Sequence, residues 1–363
     1  MIGRGLRSAS VVALAVAGLV LAGAGGVDAG AIIGNGSVVL GVRDLGNLNE
    51  PGGPPAAGSG TTIVGLRSVA TGSDSTSPGC TCEGWGAGIK DFGGPGVNVS
   101  GFANDAVGTA NLSLVSFVST ASTAVSVVNV LGPTGAPVLQ VTHSYHPIAG
   151  TPALYEVDVA IKNVSGAGLA DGQLVYRRVM DWDIPFPGDE RVSIQGVPAL
   201  LGVANGNNVR RTDNNGFNSG DPFSFTPFGL TNINFTDAAG DIGALFDFEF
   251  EALPDGATRE FATFYGVAAT KAAADLARAL VDGDPSDIEI GLYSYGVCTS
   301  GLPGCDFVSG APNTFIFGFG AAGGILAPPP PPPTPGVPEP ASLLLLGAGL
   351  VAAVALKRAY RRK

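Results

Sequence analysis

Histidine is nearly missing from this chain: His143 and His146 are the only two in 363 residues. They sit three apart, and on a strand such residues point to opposite faces, so they are not expected to share a ligand or a substrate. There is no Gly-x-Ser-x-Gly elbow, no His-Glu-x-x-His and no Gly-x-x-x-x-Gly-Lys loop. The histidine-based triads and the phosphate loop are therefore excluded by inventory. Charge is also scarce, at 13% of residues, and there are only two tryptophans and two methionines. Apolar residues make up 45%, enough to bury a large core, so disorder of the whole chain is excluded.

Basic residues are rare outside the two ends. Without residues 1–29 and 337–363, the body keeps 12 basic and 28 acidic residues, a net charge of about -16. Such a body repels nucleic acid and anionic membrane surfaces, attracts divalent cations and stays soluble outside the cell. What is plentiful is Gly, at 56 residues, and Pro, at 27, which interrupt helices and punctuate turns. Val, Thr, Ser and Phe fill the remainder, a mixture suited to a pleated, half-buried surface.

The cysteines are Cys80, Cys82, Cys298 and Cys305, none in a terminal segment. An even number in an exported chain favours disulfides, and four allow three pairings. Cys298 with Cys305 is the expected bridge, because it closes a short Gly/Pro loop. Cys80 and Cys82 are then left to pair across one residue. Zinc is the rival, but Cys-x-Cys and Cys-x6-Cys are not its usual ligand spacings.

Both ends carry targeting patterns. Arg4 and Arg7 precede an apolar stretch over residues 11–21, and Val27-Asp28-Ala29 offers small residues for cleavage, with Ala22-Gly23-Ala24 as an alternative. This predicts a signal peptide over residues 1–29, too short and too soon interrupted by Gly to be a span. At the other end, residues 328–333 are an unbroken proline run within a stiff spacer over residues 327–336. Pro338-Glu339-Pro340 follows, then an uncharged Leu/Ala/Val stretch over residues 341–356, then Lys357, Arg358, Arg361, Arg362 and Lys363. An apolar helix with a basic cap inserts with the cap retained in the cytoplasm.

Pro338, Glu339, Pro340, the apolar helix and the basic end, about 27 residues together, resemble the PEP-CTERM sorting signal of Gram-negative bacteria. The resemblance implies processing by exosortase, a membrane cysteine protease, with a transient inner-membrane anchor. It also implies a destination at the cell surface or in the extracellular matrix, in association with exopolysaccharide and biofilm.

Residues 30–326 read as one large β domain. Short apolar runs alternate with turns at residues 37–43, 61–69, 111–118, 124–130, 138–145, 155–162 and 173–182. The stretch 46–60 reads as a long surface loop. In residues 245–251, Phe246, Phe248 and Phe250 take one face, while Asp247, Glu249 and Glu251 take the other, predicted to be wet. Residues 261–267 are expected to return beside that strand through the turn at Pro254-Asp255-Gly256. Phe315, Phe317 and Phe319 keep step in a last strand over residues 314–319. One helix is predicted over residues 271–281, capped by Thr270, with Ala273, Leu276, Ala277 and Leu280 on its apolar face. The expected fold is all-β: a large sandwich with one packed helix. Cys80-Thr-Cys-Glu-Gly-Trp-Gly86, Tyr176-Arg-Arg-Val-Met-Asp-Trp-Asp183 and Asn313-Thr-Phe-Ile-Phe317 are similar to segments of uncharacterised secreted bacterial proteins, a resemblance that implies no activity.

Two clusters invite chemistry. Asp181 and Asp183 flank Trp182, with Asp189 and Glu190 nearby; paired carboxylates act on glycosidic bonds and a Trp stacks on sugars. Glu83 with Trp85 is a second such pairing. The same residues also read as a strand end with a core Trp. Asp213, Asn215, Ser219 and Asp221 place oxygen side chains along a Gly-containing turn, a pattern that suits calcium, although the closing Glu of an EF-hand is missing and the residues are ordinary turn formers. No other cofactor is indicated, and Gly84-Trp-Gly-Ala-Gly88 lacks the strand-turn-helix context of a dinucleotide fingerprint. The sequence thus describes an exported, exosortase-processed surface or matrix protein, structural or polysaccharide-associated and without an assigned catalytic activity. The alternatives are an extracellular carbohydrate-active enzyme and a calcium-dependent adhesion or carbohydrate-binding module.

Overall fold

A computed structural model describes residues 30–184, 190–282, 290–299 and 304–326. The expected signal peptide, proline spacer and anchor lie outside these residues, as do the sorting residues Pro338, Glu339 and Pro340. In chain order the strands begin with β1 (Ala31–Gly34), β2 (Val38–Val42), β3 (Leu66–Ser68), β4 (Gly84–Ile89), β5 (Val99–Asn104) and β6 (Gly108–Ala110). Next come β7 (Leu112–Ser119), β8 (Ala124–Leu131), β9 (Pro137–Pro147), β10 (Leu154–Asn163), β11 (Leu174–Asp181) and β12 (Glu190–Gln195). The series ends with β13 (Val209–Asp213), β14 (Phe235–Gly240), β15 (Gly243–Glu249), β16 (Thr258–Ala268), helix α1 (Lys271–Asp282), β17 (Ile290–Val297) and β18 (Thr314–Leu326).

All strand pairing is antiparallel. A nine-stranded sheet runs β14-β12-β17-β18-β16-β10-β9-β8-β7, a six-stranded sheet runs β13-β15-β11-β4-β5-β6, and β1-β2-β3 form a small third sheet. The two large sheets pack face to face through aromatic side chains. Phe246 of β15 lies 5.4 Å from Phe317 and 5.0 Å from Phe319 of β18, ring centre to centre. Phe248 meets Phe319 at 4.8 Å, and Tyr176 of β11 meets Phe261 of β16 at 5.1 Å. Offset and edge-to-face contacts of this kind add to the area each ring removes from water. Among the described residues, the mostly β architecture with one α-helix matches the expectation from composition and alternation. β8 shows why: its eight residues alternate buried and half-buried without a break.

Three local expectations fail. First, β15 and β16 are not neighbours. β15 pairs with β11 and β13, while β16 pairs with β10 and β18, so the turn at residues 254–256 carries the chain from one sheet to the other. Phe250 and Phe261 then meet across the sandwich, 5.5 Å apart. Second, the outer face of β15 is not wet throughout. Glu251 is exposed, but Asp247 is fully buried. Third, α1 buries Ala274, Ala277 and Val281, whereas Leu276 and Leu280 are 69% and 57% exposed. The helix lies against Phe264, Tyr295 and Ile316 on the outer face of the nine-stranded sheet. Side chains as small as Ala allow that approach, and the larger leucines turn outward. Its cap forms as expected, with Thr270 Oγ1 accepting the Ala273 N–H at 3.2 Å.

Candidate functional site

β11 is the axis of the molecule: all eight of its residues are buried. A strand alternates its side chains, so Arg177 and Arg178 leave it on opposite faces. Each needs a partner, because an unpaired buried guanidinium is very costly.

Arg177 points away from the aromatic core. Its Nε donates to Asp247 Oδ1 at 2.6 Å and its Nη2 to Asp247 Oδ2 at 2.9 Å. Its Nη1 donates to the carbonyls of Ser219, Asp221 and Ser224 at 2.6–3.0 Å. The segment 213–226 is thereby drawn down over the six-stranded sheet, and this cover is what dries Asp247. It also explains Gly86 and Gly88 of β4; Gly84, next in the alternation, is instead crowded by Ala103 and Asn104 of β5. A Cβ on Gly86 would run into the carbonyl of Gly220, and one on Gly88 would lie 2.6 Å from the Phe223 ring. Gly86 and Gly88 make a flat bed for the loop.

That loop contains the four calcium candidates, and its oxygens face protein donors. Asp213 Oδ1 accepts the backbone N–H of Asn215 at 2.8 Å and of Phe228 at 3.1 Å, and its Oδ2 accepts the Thr231 hydroxyl. Asn215 Oδ1 accepts from Phe217 N, while its Nδ2 donates to Thr226 O. Asp221 Oδ1 accepts from Phe223 N and from the Ser100 hydroxyl. Ser219 contributes its carbonyl to Arg177. This is the hydrogen-bonding of a folded turn, and it serves the Arg177 lid.

Arg178 points into the sandwich. Its Nε donates to Glu83 Oε1 at 2.7 Å and its Nη2 to Tyr145 Oη at 3.0 Å. Tyr265 Oη donates to the same Glu83 oxygen at 2.7 Å, and Leu48 N donates to Glu83 Oε2. His143 Nε2 and Tyr176 Oη are hydrogen-bonded at 3.0 Å, and the His143 ring stands edge-on to Trp85 at 4.6 Å. Burial, followed by the charge of Arg178, holds His143 well below the usual imidazole range. Glu83, Trp85 and His143 therefore lie inside the core and not on a sugar platform.

The cluster of interest lies where β11 ends. Asp181 and Glu190 are each 1% exposed, Asp183 is half-buried, and Asp241, which sequence reasoning missed, is exposed at the rim. Asp189 lies outside the described residues. Trp182 is fully buried and donates Nε1–H to Ser294 Oγ at 3.0 Å, so it is a core residue. Burial, then the charges of Asp183 and Asp241, pushes Asp181 up to about 8. Burial and Asp241 push Asp183 up to about 6, against a hydrogen bond from Gly79 N. Burial takes Glu190 up to about 10, partly offset by the Ile242 N–H. Asp181 Oδ1 and Glu190 Oε2 are buried without a hydrogen-bond partner, so neither oxygen has a donor that would favour the ionised form.

Cys80 Sγ lies 3.5 Å from Asp181 Oδ2. Cys80 is bridged to Cys82, with Cα atoms 5.1 Å apart, and Cys298 to Cys305 at 6.0 Å, the pairing expected from the short Gly/Pro loop. A bridged sulfur carries no proton, so it gives Asp181 no donor. His146 stands apart on the outer face of β9, with Nε2 3.0 Å from Asp158 Oδ2. Two surface clefts lie elsewhere: one of about 290 Å³ beside Ser37, Val69 and Asn313, and one of about 460 Å³ beside Lys90, Gln173 and Glu249.

No curated protein matches this chain. A solved structure described as a galactose mutarotase related enzyme from Lactobacillus acidophilus aligns over 80% of this chain and 85% of its own, at 11% identity and a TM-score of 0.32. A likeness of that size carries no argument. The family model described as PEP-CTERM protein-sorting motif matches residues 336–362, which span Pro338, Glu339, Pro340, the apolar stretch and most of the basic end. The chain is an exported protein that carries a PEP-CTERM sorting motif, with a transient C-terminal membrane anchor and processing by exosortase.

Proposed function

We propose that the β domain is displayed at the cell surface or in the extracellular matrix and binds polysaccharide without cleaving it. The observation that carries this reading is the sorting motif, which exports and delivers a closed, acidic, disulfide-stapled sandwich. The burial of Trp182, Trp85 and Glu83 supports it, because both tryptophans nominated to stack on sugar, and Glu83 with them, are committed to the core. The test uses the full chain produced in an exosortase-bearing host, followed by co-sedimentation of the processed protein with the host's own exopolysaccharide. Retention with no new reducing ends is expected. Release of reducing sugar would overturn the non-catalytic reading, and no retention would overturn the binding one.

A carbohydrate-active enzyme is the second reading. It draws on Asp181 and Asp183, two neighbouring carboxyls raised to about 8 and about 6, a range in which a general acid works near neutrality. If hydrolysis were detected, Asp183→Asn would be expected to abolish it. Unchanged turnover in that variant would remove these residues from the chemistry.

A further inference from the structure

The outer face of the nine-stranded sheet holds a second constellation, away from the carboxyl cluster at the end of β11. His146 on β9 and Glu156 on β10 are direct cross-strand partners, and Asp158 follows two residues later on the same face of β10. One ligand-capable atom from each of the three lies within 4.8 Å of the other two. Ligand atoms about 2.1 Å from a tetrahedral ion stand about 3.4 Å apart; His146 Nε2 and Asp158 Oδ2, at 3.0 Å, are close to that spacing, and the third ligand need draw in by no more than about 1.4 Å.

The imidazole is oriented as a ligand. Its Nδ1 faces the carbonyl of Pro147 at 3.3 Å, and a carbonyl only accepts, so Nδ1 carries the proton. A backbone carbonyl holding one ring nitrogen leaves the other nitrogen's lone pair for a metal. Here that nitrogen is Nε2, 3.0 Å from Asp158 Oδ2. Nε2 and the Asp158 carboxylate face one another, and a divalent ion can take the place of the ring proton between them. The His146 and Asp158 side chains are 37% and 58% exposed, so an ion can enter and water can complete its shell.

We propose that His146, Glu156 and Asp158 form a divalent transition-metal site of the zinc type, with solvent at the remaining position. One nitrogen and two carboxylate donors suit zinc, whereas calcium takes oxygen ligands throughout. The three side chains project from paired strands, which hold them without a mobile loop.

The test is a zinc titration of the full chain against a competing chelator dye, with Co²⁺ absorption as a readout of nitrogen ligation. One equivalent of zinc is expected. His146→Ala and Asp158→Asn are each expected to weaken binding at least tenfold, while thermal melting of the metal-free variants confirms that they fold. Glu249→Gln, a surface acid beside Lys90, is expected to bind zinc as the parent does. Zinc binding of equal strength in His146→Ala would show diffuse capture by an acidic surface and overturn the site. No binding by the parent protein would overturn it as well.

Discussion

Arg178 and Glu83 form an ion pair in the middle of the sandwich, Nε to Oε1 at 2.7 Å, with neither side chain exposed. Both remaining faces of the pair are satisfied, since Tyr145, Tyr265 and Leu48 N complete the hydrogen bonds. Burial alone would lower the Arg178 pKa; the charge of Glu83 and the surrounding tyrosines outweigh it and raise it well above the usual value. Removing one partner leaves the other charged and dry. Glu83→Ala is therefore expected to cost about 3–5 kcal/mol, read from denaturant unfolding of the purified domain. A loss under about 1 kcal/mol would show that the pair is not desolvated.

The second expectation concerns the lid over Arg177. Gly86 lies directly beneath Gly220, and a methyl group there must push the 213–226 segment outward. Gly86→Ala is expected to destabilise by about 1–3 kcal/mol and to speed amide exchange in the lid before the rest of the domain. Uniform exchange across the domain would count against a lid held by Arg177.

The carboxyl cluster sets a pH dependence with a definite sign. Asp183, Asp181 and Glu190 have folded values raised to about 6, about 8 and about 10. In the unfolded chain these acids ionise near their ordinary values, so the folded state binds more protons across the interval. Their stabilising contribution is full at acid pH and is lost as pH rises from about 4 through each folded value in turn. Asp181→Asn keeps the shape and removes the ionisation. It is expected to be more stable than the parent at neutral to alkaline pH and to melt with a flatter pH profile. Parallel melting curves for the two proteins from pH 5 to pH 9 would defeat this account.

The sorting motif gives the fourth. Substituting Glu339 by Ala is expected to leave the chain unprocessed and membrane-bound in an exosortase-bearing host, seen as a larger band in the membrane fraction. Normal release of the variant would separate Pro338-Glu339-Pro340 from the processing step.

Legibility from sequence followed the range of the forces involved. The alternation of β8, the cap at Thr270 and the short-range pairing of Cys298 with Cys305 depend on neighbours a few residues away, and each reads correctly. Phe246, Phe248 and Phe250 were also legible as a core face. Asp247 was not, because its dryness comes from a segment that starts more than twenty residues upstream and is pulled in by Arg177 on another strand. Leu276 and Leu280 misled for a related reason: periodicity marks an apolar stripe, but the gap beneath the helix selects which side chains fit.

The sites divide the same way. Asp181, Asp183 and Glu190 stood out as neighbours in sequence, while Asp241 joins them only because β12 and β14 pair and deliver it to the same corner. Glu156 and Asp158 meet His146 through the β9–β10 register.

What the sequence determined by itself was the address, the mostly β composition and the disulfides, because export signals, alternation and short loops are written in consecutive residues. Which sheet each strand joined, which charges were buried and which acids met were decided only by tertiary structure. Those outcomes rest on contacts between segments far apart in the chain, whose register no local pattern specifies.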